Sequence, residues 1–201
     1  MELTGPGRRG HGGHGGRGGA EQRARMLPVD AVLALLLRSD AETLADVGCG
    51  HGFFTIPAAK KLRQGRVMAV DTDPGALAEA RQRAAEAGLS NVDFVLSQPY
   101  RIPIGDRTAS AALLATVLHE VEDKPRFLAE VRRILSPTGR LVVVEFHKQE
   151  MPFGPPVGER LAEEETRDLL GRAGLAVVGT DRLSEAFYQV VADVDPTTEH
   201  R

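Results

Sequence analysis

A single cysteine, Cys49, in 201 residues excludes an internal disulfide and any multi-thiolate metal site. The chemistry of secreted disulfide scaffolds and zinc modules is therefore absent, and a reducing cytoplasm is the expected location. Long apolar runs are also missing. Residues 32–37 are apolar, but a membrane span needs roughly 20 such residues. No span is expected, and the run reads as a helix packed on a domain. Nor is there an excess of positive charge to hold a polyanion. Five arginines (Arg8, Arg9, Arg17, Arg23 and Arg25) stand against Glu2 and Glu21 in the first 25 residues, which leaves −6 on the rest of a chain whose net charge is −3. Counterion release rewards a basic face, so nucleic acid is not expected as a partner. The N-terminus carries Gly and Arg where a secretion signal would carry an apolar stretch.

Apolar groups are scarcest at the start. Glycine fills nine of the fifteen positions from 5 to 19, and a segment so poor in side chains to bury cannot offset its ordering entropy. Residues 1–24 are expected to be a disordered tail, 25–195 one domain and 196–201 a flexible end. His11 and His14 lie in that tail without carboxylate or thiol partners, so no metal site is assigned to them.

From Pro28 onward short apolar runs alternate with longer amphipathic ones. Helices are expected at 29–37, 53–61, 74–87, 125–135 and 163–173, and strands at 43–47, 66–70, 92–96, 111–116, 140–146, 176–179 and 187–192. Pro28 suits a first turn, Gly88 and Gly174 suit helix ends, and Asp73 before Pro74 is a ready N-cap. Alternation of this kind makes an α/β fold with a mostly parallel sheet and helices on both faces. The last two runs have no helix between them and should pair antiparallel at one edge. Ligands in such sheets bind beyond the carboxyl ends of the strands, where strand order reverses.

The loop after the first strand reads Asp46-Val47-Gly48-Cys49-Gly50-His51-Gly52. Its glycines permit a tight turn and close ligand approach, and the helix that follows should offer free N–H donors. The dinucleotide fingerprint G-x-G-x-x-G would need a small residue at position 53, which is Phe53. Asp46 would repel a pyrophosphate but suits an ammonium group. Asp71, 19 residues after Gly52 at the end of the second strand, stands where an acid can accept both hydroxyls of a ribose. Cys49 has no neighbour in sequence to activate it.

These residues, with Ile102-Pro103-Ile104, Val117-Leu118-His119-Glu120-Val121 and Leu135-Ser136-Pro137-Thr138-Gly139-Arg140, resemble the class I S-adenosylmethionine-dependent methyltransferases over residues 26–192. The likeness is greatest to the small-molecule branch that includes the ubiquinone/menaquinone-biosynthesis type, and Gly154-Pro155-Pro156 resembles a loop of one of its subgroups. The resemblance implies a Rossmann-like three-layer sandwich with a seven-stranded, mostly parallel sheet and an antiparallel last strand. It implies S-adenosyl-L-methionine as cofactor, with Asp46, Gly48, Cys49, Gly50 and Gly52 at the methionine moiety, Asp71 and Thr72 at the ribose, and Gln98 and Thr116 completing the site. Two positions depart from the family: Gln98 stands for an Asp that accepts from the adenine amino group, and Ser110 for an Asp at the start of strand four. Gln98 keeps a carbonyl acceptor.

A sulfonium already carries an activated methyl, so the protein has to align a nucleophile and exclude water. A base is needed where the acceptor must lose a proton. His119 and Glu120 are the catalytic candidates, with His147 and Tyr188 as further ones, and the proline-rich stretch 152–157 is a candidate lid. His51 either closes the methionine pocket or faces solvent. A lone thiol disfavours arsenite methylation, and the missing Asn-Pro-Pro-Tyr type motif disfavours a DNA base. The acceptor is expected to be a small molecule, and oligomeric state is left open, a homodimer included. Two other readings remain: a methyltransferase-like protein that binds cofactor without turnover, and an NAD(P)-dependent oxidoreductase. Glycine spacing, Asp46 and the lack of a Tyr-x-x-x-Lys pair count against the second.

Overall fold

The computed structural model describes residues 26–195. The disorder expected at residues 1–24 and the flexibility expected at 196–201, with His11 and His14, lie outside the described residues. Among the described residues five α-helices are seen, α1 (Val29–Leu36), α2 (Thr55–Lys61), α3 (Pro74–Glu86), α4 (Lys124–Ile134) and α5 (Glu163–Arg172), with short 3-10 turns at Leu118–Glu120 and Val157–Glu159. Seven strands form one sheet: β1 (Thr43–Val47), β2 (Arg66–Asp71), β3 (Val92–Leu96), β4 (Ala109–Ala115), β5 (Leu135–Phe146), β6 (Leu175–Arg182) and β7 (Phe187–Val194). Their order is β3-β2-β1-β4-β5-β7-β6. β1 to β5 run parallel, and β7 lies antiparallel to both β5 and β6. The antiparallel pair sits at one edge, with β7 inside and β6 outermost. No helix separates β3 from β4.

Alternation along the strands sends side chains to two cores. Ala45, Val47, Ala112, Leu114, Leu141 and Val143 face α4 and α5 through Phe127, Leu128, Val131 and Leu170. Leu44, Val67, Leu113, Val142 and Val144 face α1 and α2 through Val32, Leu33, Leu36, Ala58 and Ala59. β4 and β5 are apolar on both faces because helices cover both. α3 covers Ala69 with Leu77.

The helix ends follow their residues. The Asp73 carboxylate accepts from the Gly75 N–H at 2.8 Å, capping α3, and Gly88 takes φ +68° just beyond its end. Pro28 stands at the N-cap of α1, one place before the first turn. α2 begins at Thr55, two residues later than the apolar pattern suggests, because the glycine turn continues through Phe54. At the edge, Arg140 of β5 grips Asp193 of β7 with two hydrogen bonds, 2.8 and 3.1 Å, and Arg38 adds a third at 2.7 Å. These charges hold the Asp193 carboxyl below its ordinary pKa.

Leu128 lies wholly buried between α4 and the sheet, whereas Leu96 on the edge strand is 55% exposed. Leu128→Ala is expected to cost about 2–5 kcal/mol, read from the denaturant midpoint at unchanged slope, and Leu96→Ala less than about 0.5 kcal/mol. Equal losses would contradict the assignment of the core.

Candidate active site

Strand order reverses between β1 and β4, and a cleft of about 680 Å³ opens there at their carboxyl ends. Asp46, Gly48, Cys49, Gly50, His51, Asp71, Thr72, Gln98, Thr116 and Glu120 all line it. Gly52 does not; a Cβ there would lie 3.4 Å from Ala80, so this glycine serves the packing of α3 against the loop. Apolar walls come from Leu27, Phe53, Phe54, Val117, Val121 and Phe127, with Tyr100 beside them.

Two glycines have positional reasons. Gly48, at φ +76°, approaches Val117 so closely that a Cβ would stand 2.4 Å from its Cγ2. Gly50, at φ +52°, has nothing within 4 Å of the equivalent point, so the chain there is bare toward the cleft. Thr116, just past the end of β4, takes φ +58°, a left-handed conformation that a β-branched residue adopts only under constraint. Its N–H is held by the Val144 carbonyl at 2.7 Å.

Four N–H groups of the glycine loop are committed inside the protein. The N–H groups of Gly48 and Cys49 both point to the Val70 carbonyl (2.8 and 3.0 Å), and that of Gly52 to the Cys49 carbonyl (3.0 Å). Gly50 donates to Asp71 Oδ2 at 2.8 Å. Those four groups are not open to a phosphate. Asp71 also accepts from the Asp73 N–H through Oδ1 at 3.0 Å, so its carboxylate ties the two loops together.

Asp46 is 2% exposed and its side chain accepts from Thr55 Oγ1 at 2.6 Å. Burial raises its pKa from the ordinary 3.8 to about 6, Thr55 opposing the rise and the Asp71 charge adding to it. Burial likewise pushes the Cys49 thiol up, consistent with an unreactive sulfur. With Glu120 and Glu122, four carboxylates line the cleft against Arg83 and His51, which favours a cationic ligand. His51 lies 3.4 Å from Glu79 and is mostly exposed.

The other candidates separate. His119 is buried behind the cleft wall with its Nδ1 2.7 Å from Glu145 Oε2. Tyr188 belongs to the core, its hydroxyl bonded to Thr166 and to the Leu161 carbonyl. His147 packs against Tyr188, ring centres 5.5 Å apart and planes tilted by 43°, and does not line the cleft. Ser110 sits at the start of β4, where it accepts from the Thr43 N–H and bonds to Glu42. That is the opposite end of the sheet, so this departure from the family does not touch the cleft. The stretch 152–157 packs away from the cleft lining. The buried Arg160 donates to the carbonyls of Pro155, His147, Gln149 and Phe153 and lies over the Phe146 ring. Glu145 and Arg160 were not anticipated. A lone carboxylate closing a valine-rich strand was the one available signal for Glu145; Arg160 had none.

Because the folded pKa of Asp46 exceeds its ordinary value, the native state binds a proton that the unfolded state releases. Stability is therefore highest below pH 4 as far as Asp46 is concerned, and about 3 kcal/mol is lost as pH rises from about 4 through about 6. Asp46→Asn removes that ionisation, and the free protein is expected to be more stable than the wild type at pH 7.5 with the difference vanishing near pH 4, as read by denaturant unfolding. A variant less stable at both pH values would contradict this.

Residues 45–143 match the methyltransferase domain family. The chain is 34% identical over 107 residues to the ubiquinone/menaquinone biosynthesis C-methyltransferase UbiE of Marinomonas sp., spanning 52% of this chain and 43% of that protein. It is 29% identical over 121 residues to an arsenite methyltransferase of Halobacterium salinarum, spanning 60% and 31%. The chain thus spans about a third to a half of the length of these curated relatives. A crystal structure of a SAM-dependent methyltransferase from Aquifex aeolicus superposes with a TM-score of 0.82 at 28% identity, covering 86% of this chain and 93% of that one. Fold, glycine loop and sequence likeness agree: the chain belongs to the class I S-adenosylmethionine-dependent methyltransferases.

Proposed function

We propose that this chain transfers a methyl group from S-adenosyl-L-methionine to a small-molecule acceptor in the cytoplasm, alone or as a homodimer. The observation that carries the reading is the buried Asp46 carboxylate, which accepts from Thr55 and retains acceptor capacity in a cleft lined by three further carboxylates. A ligand bearing an ammonium group fits that arrangement and a pyrophosphate does not, so the oxidoreductase reading is not retained.

In this reading Asp46 holds the ammonium group, and Gly48, Cys49 and Gly50 line the methionine moiety. Asp71, whose two oxygens each have a lone pair beyond the N–H groups of Gly50 and Asp73, accepts the ribose hydroxyls, with Thr72 beside it. Gln98 takes the adenine amino group through its side-chain carbonyl, and Thr116 closes the floor. S-adenosylmethionine supplies an activated methyl on a sulfonium, so no acid is required for the transfer itself. Phe53, Phe54, Phe127 and Val121 exclude water and receive an apolar acceptor, and Glu120 at the lip takes any proton the acceptor must lose. A protein that binds the cofactor without turnover is the second reading. Gln98 is its remaining support, since Ser110 lies remote from the cleft.

Asp71→Ala removes both a charged acceptor and the tie between two loops, whereas Gln98→Ala removes one neutral bond. Calorimetric titration with S-adenosylhomocysteine is expected to show about 10–150-fold weaker binding in the first and about 10-fold or less in the second. Equal losses, or binding of NADH in place of S-adenosylhomocysteine, would overturn the assignment.

A further inference from the structure

Behind the cleft wall a carboxylate is buried at the end of β5. Glu145 is 1% exposed, and both of its oxygens are engaged by one residue: Oε1 accepts from the His119 backbone N–H at 3.1 Å and Oε2 meets His119 Nδ1 at 2.7 Å. A buried charge persists only where it is paired and hydrogen-bonded, and 2.7 Å is the length of a charge-assisted bond. The same imidazole presents Nε2 to Glu120 Oε1 at 3.7 Å, and Glu120 lines the cleft while the ring does not. The Phe146 ring, edge-to-face at 6.1 Å, adds an apolar wall.

We propose that Glu145, His119 and Glu120 form one charge chain in which the buried Glu145 carboxylate holds His119 as an imidazolium and His119 in turn holds Glu120 at the cleft. Glu120 is then the catalytic residue of the set, and His119 and Glu145 are positioning residues. This rests on the methyltransferase reading for its consequence, though not for its chemistry. An acceptor that must lose a proton gives it to a Glu120 oxygen, and the electron pair of the broken bond stays on the acceptor atom. The ring cannot itself be the base, since both nitrogens already carry protons. Among the described residues, Tyr188 on β7 is a further titratable group close to Glu145, its hydroxyl pushed up by burial first and by the Glu145 charge in addition, and the Arg160 guanidinium lies over the same Phe146 ring that flanks His119. Tyr188 bonds Thr166 and Leu161 and so offers no competing proton.

The test is nitrogen NMR of the full chain labelled in its six histidines, with His119→Gln to identify the signal. Wild-type His119 is expected to show both ring nitrogens protonated at pH 7. Glu145→Gln should lower its titration midpoint by about 1–3 pH units, as loss of a contacting opposite charge does. Glu120→Gln, on the surface and safe for folding, should lower it by about 0.7 of a unit, the effect of one exposed charge near 4 Å. A neutral wild-type ring at pH 7, or a midpoint indifferent to Glu120→Gln, would overturn the chain, and neither result depends on whether Glu145→Gln folds. S-adenosylhomocysteine is added to the same wild-type sample. Failure to bind it with an imidazolium present removes the methyltransferase reading and leaves the charge chain, whereas binding with a neutral ring does the reverse.

Discussion

The Asp71 carboxylate spans the ends of β1 and β2, accepting the Gly50 N–H from the glycine loop and the Asp73 N–H from the turn that starts α3. The loop takes its shape from this and from the Val70 carbonyl, which receives two further N–H groups. Parallel strands are what make it feasible: β1 and β2 run in register from Thr43 and Arg66, so their ends emerge side by side. A carboxylate and a carbonyl on β2 thus consume the donors that a phosphate-binding loop would leave pointing outward. The topology is shared with dinucleotide-binding sheets, but the polarity of the cleft is inverted.

That inversion makes Asp46 the most demanding residue in the molecule. Its burial opposes ionisation, and the fold holds it there at a cost in stability near neutral pH. Strain at Thr116 is of the same kind, a conformation sustained by β5 through the Val144 carbonyl. Both lie on the cleft. Such local conflict with folding is the pattern that binding sites produce.

Much of this was legible in the residues. Strand periods, the Asp73-Pro74 cap and the Gly48 to Gly52 turn depend on neighbours a few positions apart; the cap and the turn appear as read, whereas β5 begins at Leu135, five residues before the expected strand, and β6 runs on to Arg182. The commitment of the loop donors was not legible, because their acceptors, Val70 and Asp71, lie about twenty residues on and the pairing is set by register. Ser110 counts as a departure from the family in the sequence, but five residues of strand, roughly 16 Å at 3.3 Å each, separate it from the cleft end of β4. Tyr188 and His147 were open from sequence because a strand end can face core or cavity; tertiary packing puts both away from the cleft. Glu145 went unnoticed although it lies within the expected strand 140–146, since nothing local in the sequence pairs it, and only its contact with His119 gives it a place in the interior.

The pH dependence of S-adenosylhomocysteine binding tests the central claim, an acid-lined cleft built for a cation, most directly. Calorimetric affinity is expected to weaken as pH falls below about 6, where Asp46 becomes protonated, and to lose that dependence in Asp46→Asn. Affinity that stays level from pH 5 to 8 in the wild type would show that the buried carboxylate does not hold the ligand.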